Sequence, residues 1–529
     1  MMPKFKHIDE PEFNLIDELW IPVREGDRLR EVSLKEALLR APALDRIEDP
    51  SPLVEVALLR ILLAVLHRAL EGPKDEDELL ELFEMGRFPE GQVNLYLDAY
   101  RDRFWLFHPE APFWQIADLP AVKPSPWTKL RYEFASGNNP TLFSHVYDDA
   151  PPPISSAEAA RSLALHQTFV AGGFIKKLGV KSCKAAPIAS EALFIAEGKN
   201  LFETLVYALG VYRPDGDRPF WEETPLKASD VAAAEDEKPK ARRRLVGRTR
   251  VFTWVSRGVR LLPEEPEENN NSSDKKVCIR YIAYGPGVYS EGPEVPQDDP
   301  FLALLKDPRQ GHLSAVRLRE DRAFWRDFAT LFPEKDKDIK AGTLQTAYMI
   351  AMNHSSNADP IPLTVIGQIT KRDKVLEIRR ERYPLPRIDL GVLQNYIDNA
   401  IKHVDRVSKC LEKATRNLAS GLLNKDQKRS AQKRLTKEER KQIANLQKTF
   451  PTLRYYFHIL GNIFPNFLLM LSRNPSVASQ NWQKEVEKAA LAAWNLTRQA
   501  LGTQPRTLKA VQKGERSLAA CLRKEGQDV

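Results

Sequence analysis

Residues 397–418 read IDNAIKHVDRVSKCLEKATRNL, and in this stretch Ile397, Ala400, Val404, Val407, Leu411, Ala414 and Leu418 recur at steps of three and four. At about 3.6 residues per turn, such steps place all seven on one face of a single helix. An apolar stripe needs a partner to cover it, and the chain downstream supplies three. Leu453, Tyr456, Phe457, Leu460, Phe464, Phe467 and Leu468 form a second stripe, Trp482, Val486, Ala489, Ala490, Ala493 and Leu496 a third, and residues 508–522 read as a fourth. Four stripes with short connections can bury one another, so a C-terminal four-helix bundle is the economical expectation.

Upstream, the bundle is bounded by Tyr383-Pro384-Leu385-Pro386. Its prolines exclude a continuing helix or a central strand and leave an extended connection. Before this point short strand-like and helical patterns alternate. The expected fold class is therefore α+β, with a large mixed α/β N-terminal domain over residues 1–386 and the bundle over 387–529. Residues 361–382 read as a hairpin, with Leu363, Val365, Val375 and Leu376 in the arms and Thr370-Lys371-Arg372-Asp373-Lys374 as its polar tip. Residues 249–262 alternate as a strand pair would, while 235–244 and 263–276 are charge-rich and read as surface loops.

At 529 residues the chain has room for roughly two to four domains. The net charge of +7 and pI near 9.0 favour a polyanionic partner only where the cations cluster. The densest cluster lies between the first two stripes, where Lys425, Lys428, Arg429, Lys433, Arg434, Lys437, Arg440 and Lys441 face only Asp426, Glu438 and Glu439. It is either a solvated helix face or a surface that contacts phosphates.

The four cysteines, Cys183, Cys278, Cys410 and Cys521, are widely spaced and form no CxxC pair, so neither a zinc knuckle nor a disulfide framework is expected. That usage fits a reducing cytoplasm. Residues 1–12 are charged throughout and offer no secretory signal. Residues 54–70, the most apolar stretch, are broken by Glu55, Arg60, His67 and Arg68, which suits an amphipathic buried helix rather than a membrane span.

Motifs for catalysis are missing from the sequence. There is no GxxxxGK[ST] loop to cradle phosphates, no HExxH pair for zinc and no GxSxG elbow. His108, His145 and His166 are isolated in sequence, and only convergence in space would make a metal site of them.

The segment Phe13-Asn14-Leu15-Ile16-Asp17-Glu18-Leu19-Trp20-Ile21-Pro22-Val23 resembles the N-terminal signature of the CasA family, the large subunit of the type I-E CRISPR Cascade complex. The likeness continues in order through Ser33-Leu34-Lys35-Glu36-Ala37-Leu38, Phe107-His108-Pro109-Glu110-Ala111-Pro112-Phe113-Trp114-Gln115, Ser136-Gly137-Asn138-Asn139-Pro140, Thr253-Trp254-Val255-Ser256-Arg257, Phe324-Trp325-Arg326-Asp327 and Asn481-Trp482. The resemblance implies a mixed α/β domain followed by a four-helix bundle. It also implies a cytoplasmic, non-catalytic subunit, without cofactor, metal or membrane anchor. Its expected partners are the CRISPR RNA, the other Cascade subunits, double-stranded target DNA and a helicase-nuclease. Such a subunit recognises the short protospacer-adjacent motif and promotes R-loop formation, while guide RNA reads the remaining sequence by base pairing.

Residue by residue, the resemblance suggests three elements. The loop ending in Phe143-Ser144-His145 resembles the segment that reaches the guide-RNA end and a backbone subunit, where Phe143 and His145 are the candidates; an exposed ring suits stacking on bases. Ala171-Gly172-Gly173-Phe174 resembles a glycine loop in which Gly172 and Gly173 bring the backbone close to the motif duplex. Nearby Lys176 and Lys177, with Lys181 and Lys184, suit phosphate contacts, as do Lys433 and Arg434 in the bundle. Without DNA, the glycine pair is an ordinary turn. The hairpin tip at Lys371, Arg372 and Asp373 falls where the family places a glutamine-bearing wedge, but here Gln368 lies three residues earlier and the tip is charged. Arg372 could hold strands apart by stacking. Lys275, Lys276 and Arg280 are candidates for a minor-groove cation, and Cys278 stands alone where some relatives carry a cysteine cluster. Two readings of other classes are a metal-dependent nucleic-acid-processing enzyme and a purely structural scaffold.

Overall fold

The computed structural model describes residues 5–134, 150–233, 241–264, 277–292, 295–306, 312–332, 341–354, 359–423 and 436–525. Contacts group the chain into two units. One comprises Met1–Asp321, Pro333–Ser355 and Ile361–Arg382; the other comprises Arg322–Phe332, Ser356–Pro360 and Tyr383–Val529.

The first unit mixes helices and short strands. Helix α1 (Pro52–Leu70) starts on a proline that needs no amide partner there, and fourteen of its residues are buried. It is thus covered nearly all round, beyond the one-sided burial its sequence implied. Arg60 and His67 are buried with it. Arg60 is 1% exposed, pairs with buried Asp299, and lies 4.4 Å from the Phe252 ring centroid. A charge can stay in such a place only with a partner and hydrogen bonds.

Helix α2 (Ser156–Phe169) begins at Ser155, whose hydroxyl accepts the Glu158 amide, and ends just before Val170-Ala171-Gly172. A two-stranded hairpin follows, β1 (Gly173–Lys177) and β2 (Val180–Cys183), and then β3 (Leu193–Ala196). Strand β4 (Arg257–Pro263) pairs antiparallel with β5 (Cys278–Pro286), and residues 125–126 and 154–155 pair with β5 as well. The strand pair expected within 249–262 is therefore only half correct. Arg248–Phe252 is a short helix because the distant Asp217 carboxylate accepts the Thr249 and Arg250 amides at 2.7 and 3.0 Å and caps it.

The expected hairpin at 361–382 is present as β6 (Ile361–Lys371) and β7 (Lys374–Leu385). The sheet order is β3-β6-β7, with Leu193 opposite Ile366 and Ala196 opposite Leu363. Central β6 is mostly buried, whereas β7 is an edge carrying Lys374, Glu377, Arg379, Arg380, Glu381 and Arg382. Charges of this kind keep an open edge from pairing with another chain.

The second unit is helical, and besides the 3-10 helix Phe324–Leu331 five α-helices lie among its described residues: α3 (Leu390–Leu423), α4 (Lys437–Thr449), α5 (Thr452–Arg473), α6 (Pro475–Ala500) and α7 (Pro505–Glu525). All seven residues of the opening stripe are buried on α3, which packs against the other four helices. A ring cluster joins this unit to its own early segment: Phe328 meets Phe464 at 5.2 Å and Phe467 meets Trp482 at 4.8 Å between centroids. The expectation of no disulfide is overturned. Cys410 on α3 and Cys521 on α7 are bonded, with Cα atoms 5.7 Å apart across a separation of 111 residues. Spacing alone hides a pair that two packed helices bring together. Among the described residues, no helix is long and apolar enough to cross a membrane.

Candidate nucleic-acid interface

The β1–β2 hairpin projects from the end of α2, and buried polar groups fix its base. Arg257, 2% exposed, donates Nη2 to the Ala171 carbonyl at 2.7 Å and Nη1 to the Lys184 carbonyl at 2.9 Å. One guanidinium thereby holds both flanks of the hairpin, using the fork geometry that lysine lacks. Arg257 is itself set by Gln167 of α2. The Gln167 Oε1 accepts the Arg257 amide at 3.0 Å, and its Nε2 donates to the Arg257 carbonyl at 2.8 Å. The Ala171 amide donates to the Tyr132 hydroxyl at 2.8 Å.

Burial pushes the Tyr132 hydroxyl and the Cys183 thiol above their ordinary pKa values. His166, which lies 3.0 Å from the Tyr284 hydroxyl, is held well below its ordinary value, first by burial and then by Arg257 and Lys129. The groups beneath the hairpin are thus kept neutral around a single buried cation.

At the far end, Leu178 and Gly179 both have positive φ, 51° and 76°, so Lys177 and Val180 face each other across a two-residue turn. The β6–β7 tip is built alike, with Arg372 at φ 51° and Asp373 at 61°. These two hairpins converge. A Cβ on Gly172 would lie 3.1 Å from the Asp373 carboxylate and 3.4 Å from the Ala185 amide, whereas one on Gly173 would meet nothing within 4 Å. Gly172 thus sits close under the Asp373 side chain, while Gly173, at φ 156° and with nothing within 4 Å of a Cβ, leaves its backbone open to an approaching molecule.

Residues 170–185 contain four lysines and no acid, and the tip 371–374 adds three cations against Asp373 alone. Lys176, Lys371 and Arg372 are exposed. Lys371 lies 3.7 Å from Glu320, and the Lys177 ammonium, 3.4 Å from the Lys123 carbonyl, is lowered in pKa by burial. Lys184 donates to the Ser290 carbonyl and stands 5.0 Å from the Tyr289 ring centroid.

Gln368 calls for a correction. It is 1% exposed and donates to the Phe169 carbonyl at 2.6 Å, so it braces the end of α2 from β6 and does not reach outward. Its place three residues before the tip, on the buried strand, dictates this. Arg280 is likewise engaged, by Glu264. Phe143, His145, Lys433, Arg434, Lys275 and Lys276 lie outside the described residues. The histidines have local roles: His108 accepts the Glu110 and Ala111 amides, and His166 sits beneath the hairpin. Among the described residues, no group of three or more His, Cys, Asp or Glu is placed to hold a metal ion.

Sequence reasoning missed Arg257, Gln167 and Tyr132 as the hairpin's supports. Ser256-Arg257 was visible only as part of a family-like segment, and no local pattern tells a buried arginine from a solvated one. It also passed over Phe174, which the structure leaves 84% exposed beside the glycine pair.

The sequence profile of the family described as CRISPR-associated protein Cse1 matches residues 14–493. The CRISPR-associated protein CasA/Cse1 of Thermus thermophilus is 42% identical over 524 residues, which is 98% of this chain and 99% of that protein. The solved structure of Thermus thermophilus CasA (Cse1) superimposes with a TM-score of 0.82 at 38% identity, covering 97% of this chain and 100% of that one. A chain from a CRISPR RNA-guided surveillance complex matches at TM-score 0.68 and 19% identity, over 96% of this chain and all of that one, a likeness of fold.

Proposed function

Since the chain belongs to the family of CRISPR-associated protein Cse1, or CasA, we propose that it is the large, non-catalytic subunit of a type I-E CRISPR RNA-guided surveillance complex and recognises the protospacer-adjacent motif in duplex DNA. The observation that carries this reading is the convergence of two tight hairpins, with Gly172 against Asp373, where residues 170–185 and 371–374 together carry seven cations against Asp373 and the neighbouring Glu320. Lys176, Lys177, Lys371 and Arg372 contact phosphates, and the open backbone at Gly173 lies against a groove. Motif contact starts the opening of the duplex, and guide RNA then pairs with the released strand.

In this reading, residues 1–386 dock on the guide-RNA end through Phe143 and His145 and inspect the motif. Residues 387–529, with α3, α5, α6 and α7 as a four-helix bundle, hold DNA and help recruit a helicase-nuclease. Lys433 and Arg434 contribute phosphate contacts to that role. It has further support in a cleft of about 650 Å³ between α3 and α6, where Lys402, Arg406 and Lys409 outnumber Asp405. The partners are CRISPR RNA, the other complex subunits, target DNA and the nuclease, all in the cytoplasm.

The test is selection of DNA by the reconstituted complex from duplexes with randomised nucleotides beside a fixed target. Selection of particular flanking letters should require this subunit and should fall at least about tenfold with Gly172→Asp, which crowds Asp373 and adds a like charge. Equal selection with the subunit omitted would refute the reading.

A further inference from the structure

We infer that the Cys410–Cys521 bond is a redox switch: oxidised, it holds the last helix, α7, on α3, and reduced, it lets α7 come away. The inference starts from how little else holds α7. Of residues 505–524, only Thr507, Ala510, Val511, Gly514 and Leu518 are buried, and Val511 and Leu518 are the sole large apolar side chains among them. Helix α5, of similar length, buries three rings, Tyr456, Phe464 and Phe467, and three leucines besides. Docking strength grows with the apolar area removed from water, so α7 is held by packing far less firmly than α5.

Its close approach to α3 adds little area, because small residues make it. A Cβ on Gly514 would collide with the Trp494 ring and lie 3.0 Å from the Ala414 carbonyl, and one on Gly421 would lie 2.8 Å from the Ala510 Cβ. The covalent bond contributes what packing does not. Once α3 to α6 are folded, the chain left free by an open bond is residues 501–521, and closing a loop of that length favours the docked state by about a hundredfold.

The bond is also reachable from one side. Cys410 is 1% exposed on α3, but Cys521 is partly exposed near the end of α7, so a dithiol reductant attacks the Cys521 sulfur. One reductant thiolate displaces the Cys410 sulfur, which leaves as a thiolate and takes up a proton. The second reductant thiol then frees Cys521 as a thiol, so the protein bond gains two electrons and two protons while the dithiol becomes a disulfide. Closure runs the same exchange backwards, with a small-molecule or protein disulfide as the oxidant. A bond buried at both sulfurs would offer no such entry and would be a permanent staple. Release of α7 uncovers Trp494, which is 2% exposed under Gly514.

The experiment uses the full chain, equilibrated with either oxidised glutathione or dithiothreitol, and reads thiol alkylation by mass spectrometry and amide hydrogen exchange. Cys410 and Cys521 should be alkylated together, in the reduced sample only and without denaturant. Exchange across residues 505–525 should become about a hundredfold faster on reduction, while α5 keeps its protection. Cys410→Ser with Cys521→Ser should exchange like reduced wild type in both buffers, and the two wild-type samples decide the matter even where that variant does not fold. Equal exchange across residues 505–525 in the two buffers would overturn the inference. So would a bond that dithiothreitol opens only in denaturant, or one that oxidised glutathione never forms.

Discussion

In the helical unit Phe464, Phe467 and Trp482 meet ring to ring, whereas the β1–β2 hairpin is fixed by a guanidinium, an amide and a phenol bonded to backbone atoms. The first kind of packing is non-directional and tolerates exchange of one apolar residue for another. The second fixes distance and angle, and leaves a carbonyl stranded if one partner is removed. The comparison teaches where precision is needed. The hairpin that leaves the Gly173 backbone open is held by directional bonds, while the interior of the helical unit is held by buried area.

The comparison breaks most visibly if the helical unit is damaged. Phe464 is fully buried, and Phe464→Ala should destabilise its unit by about 3–5 kcal/mol in thermal or urea unfolding. Flank-dependent DNA binding by the assembled complex, measured below the melting temperature, should stay close to wild type. A parallel loss of flank selection would mean that the two kinds of scaffold are not separate.

Arg257→Gln should have a smaller effect on stability, about 1–3 kcal/mol, because it strands buried carbonyls without opening a large cavity. Its effect on flank selection should nonetheless exceed that of Phe464→Ala. Melting temperature and flank-dependent affinity, measured on the same preparations, give the ratio. Equal ratios for both variants would remove the special role of the clamp.

Acid gives the mildest expected effect, through the first unit. His166 and His67 are buried and held neutral, their folded pKa values lying well below 6.5. Unfolding frees them to bind protons below about pH 6.5, so the unfolded state gains protons there and stability falls as pH drops, by at most about 1.4 kcal/mol per pH unit for each histidine. Above that value their contribution is constant. Urea midpoints between pH 8 and 5.5 check the sign, and an unchanged midpoint would contradict it.

Much of the helical unit was legible because an apolar stripe repeats every turn, and Ile397 to Leu418 announces its own buried face. The β6–β7 hairpin was legible for a similar reason, since the apolar arm of β6 runs into a charged two-residue turn. Other features depend on residues far apart in the chain. Asp217 caps the helix at Arg248, Arg257 reaches Ala171 and Lys184, and Cys410 meets Cys521; none of these leaves a local pattern. Gln368 shows the same limit from the other side. Its residue type suited a wedge, but β6 is buried on both faces from Leu363 to Ile369, so neither face of the strand could have turned it outward.

The salt dependence of DNA binding by the reconstituted complex tests most directly whether the paired hairpins are a phosphate-contacting surface. With Lys176, Lys177 and Arg372 all replaced by Gln, the log–log slope of affinity against salt should become shallower by about 2–3, near 0.9 for each phosphate that no longer meets a cation. A slope unchanged by the triple substitution would contradict the account.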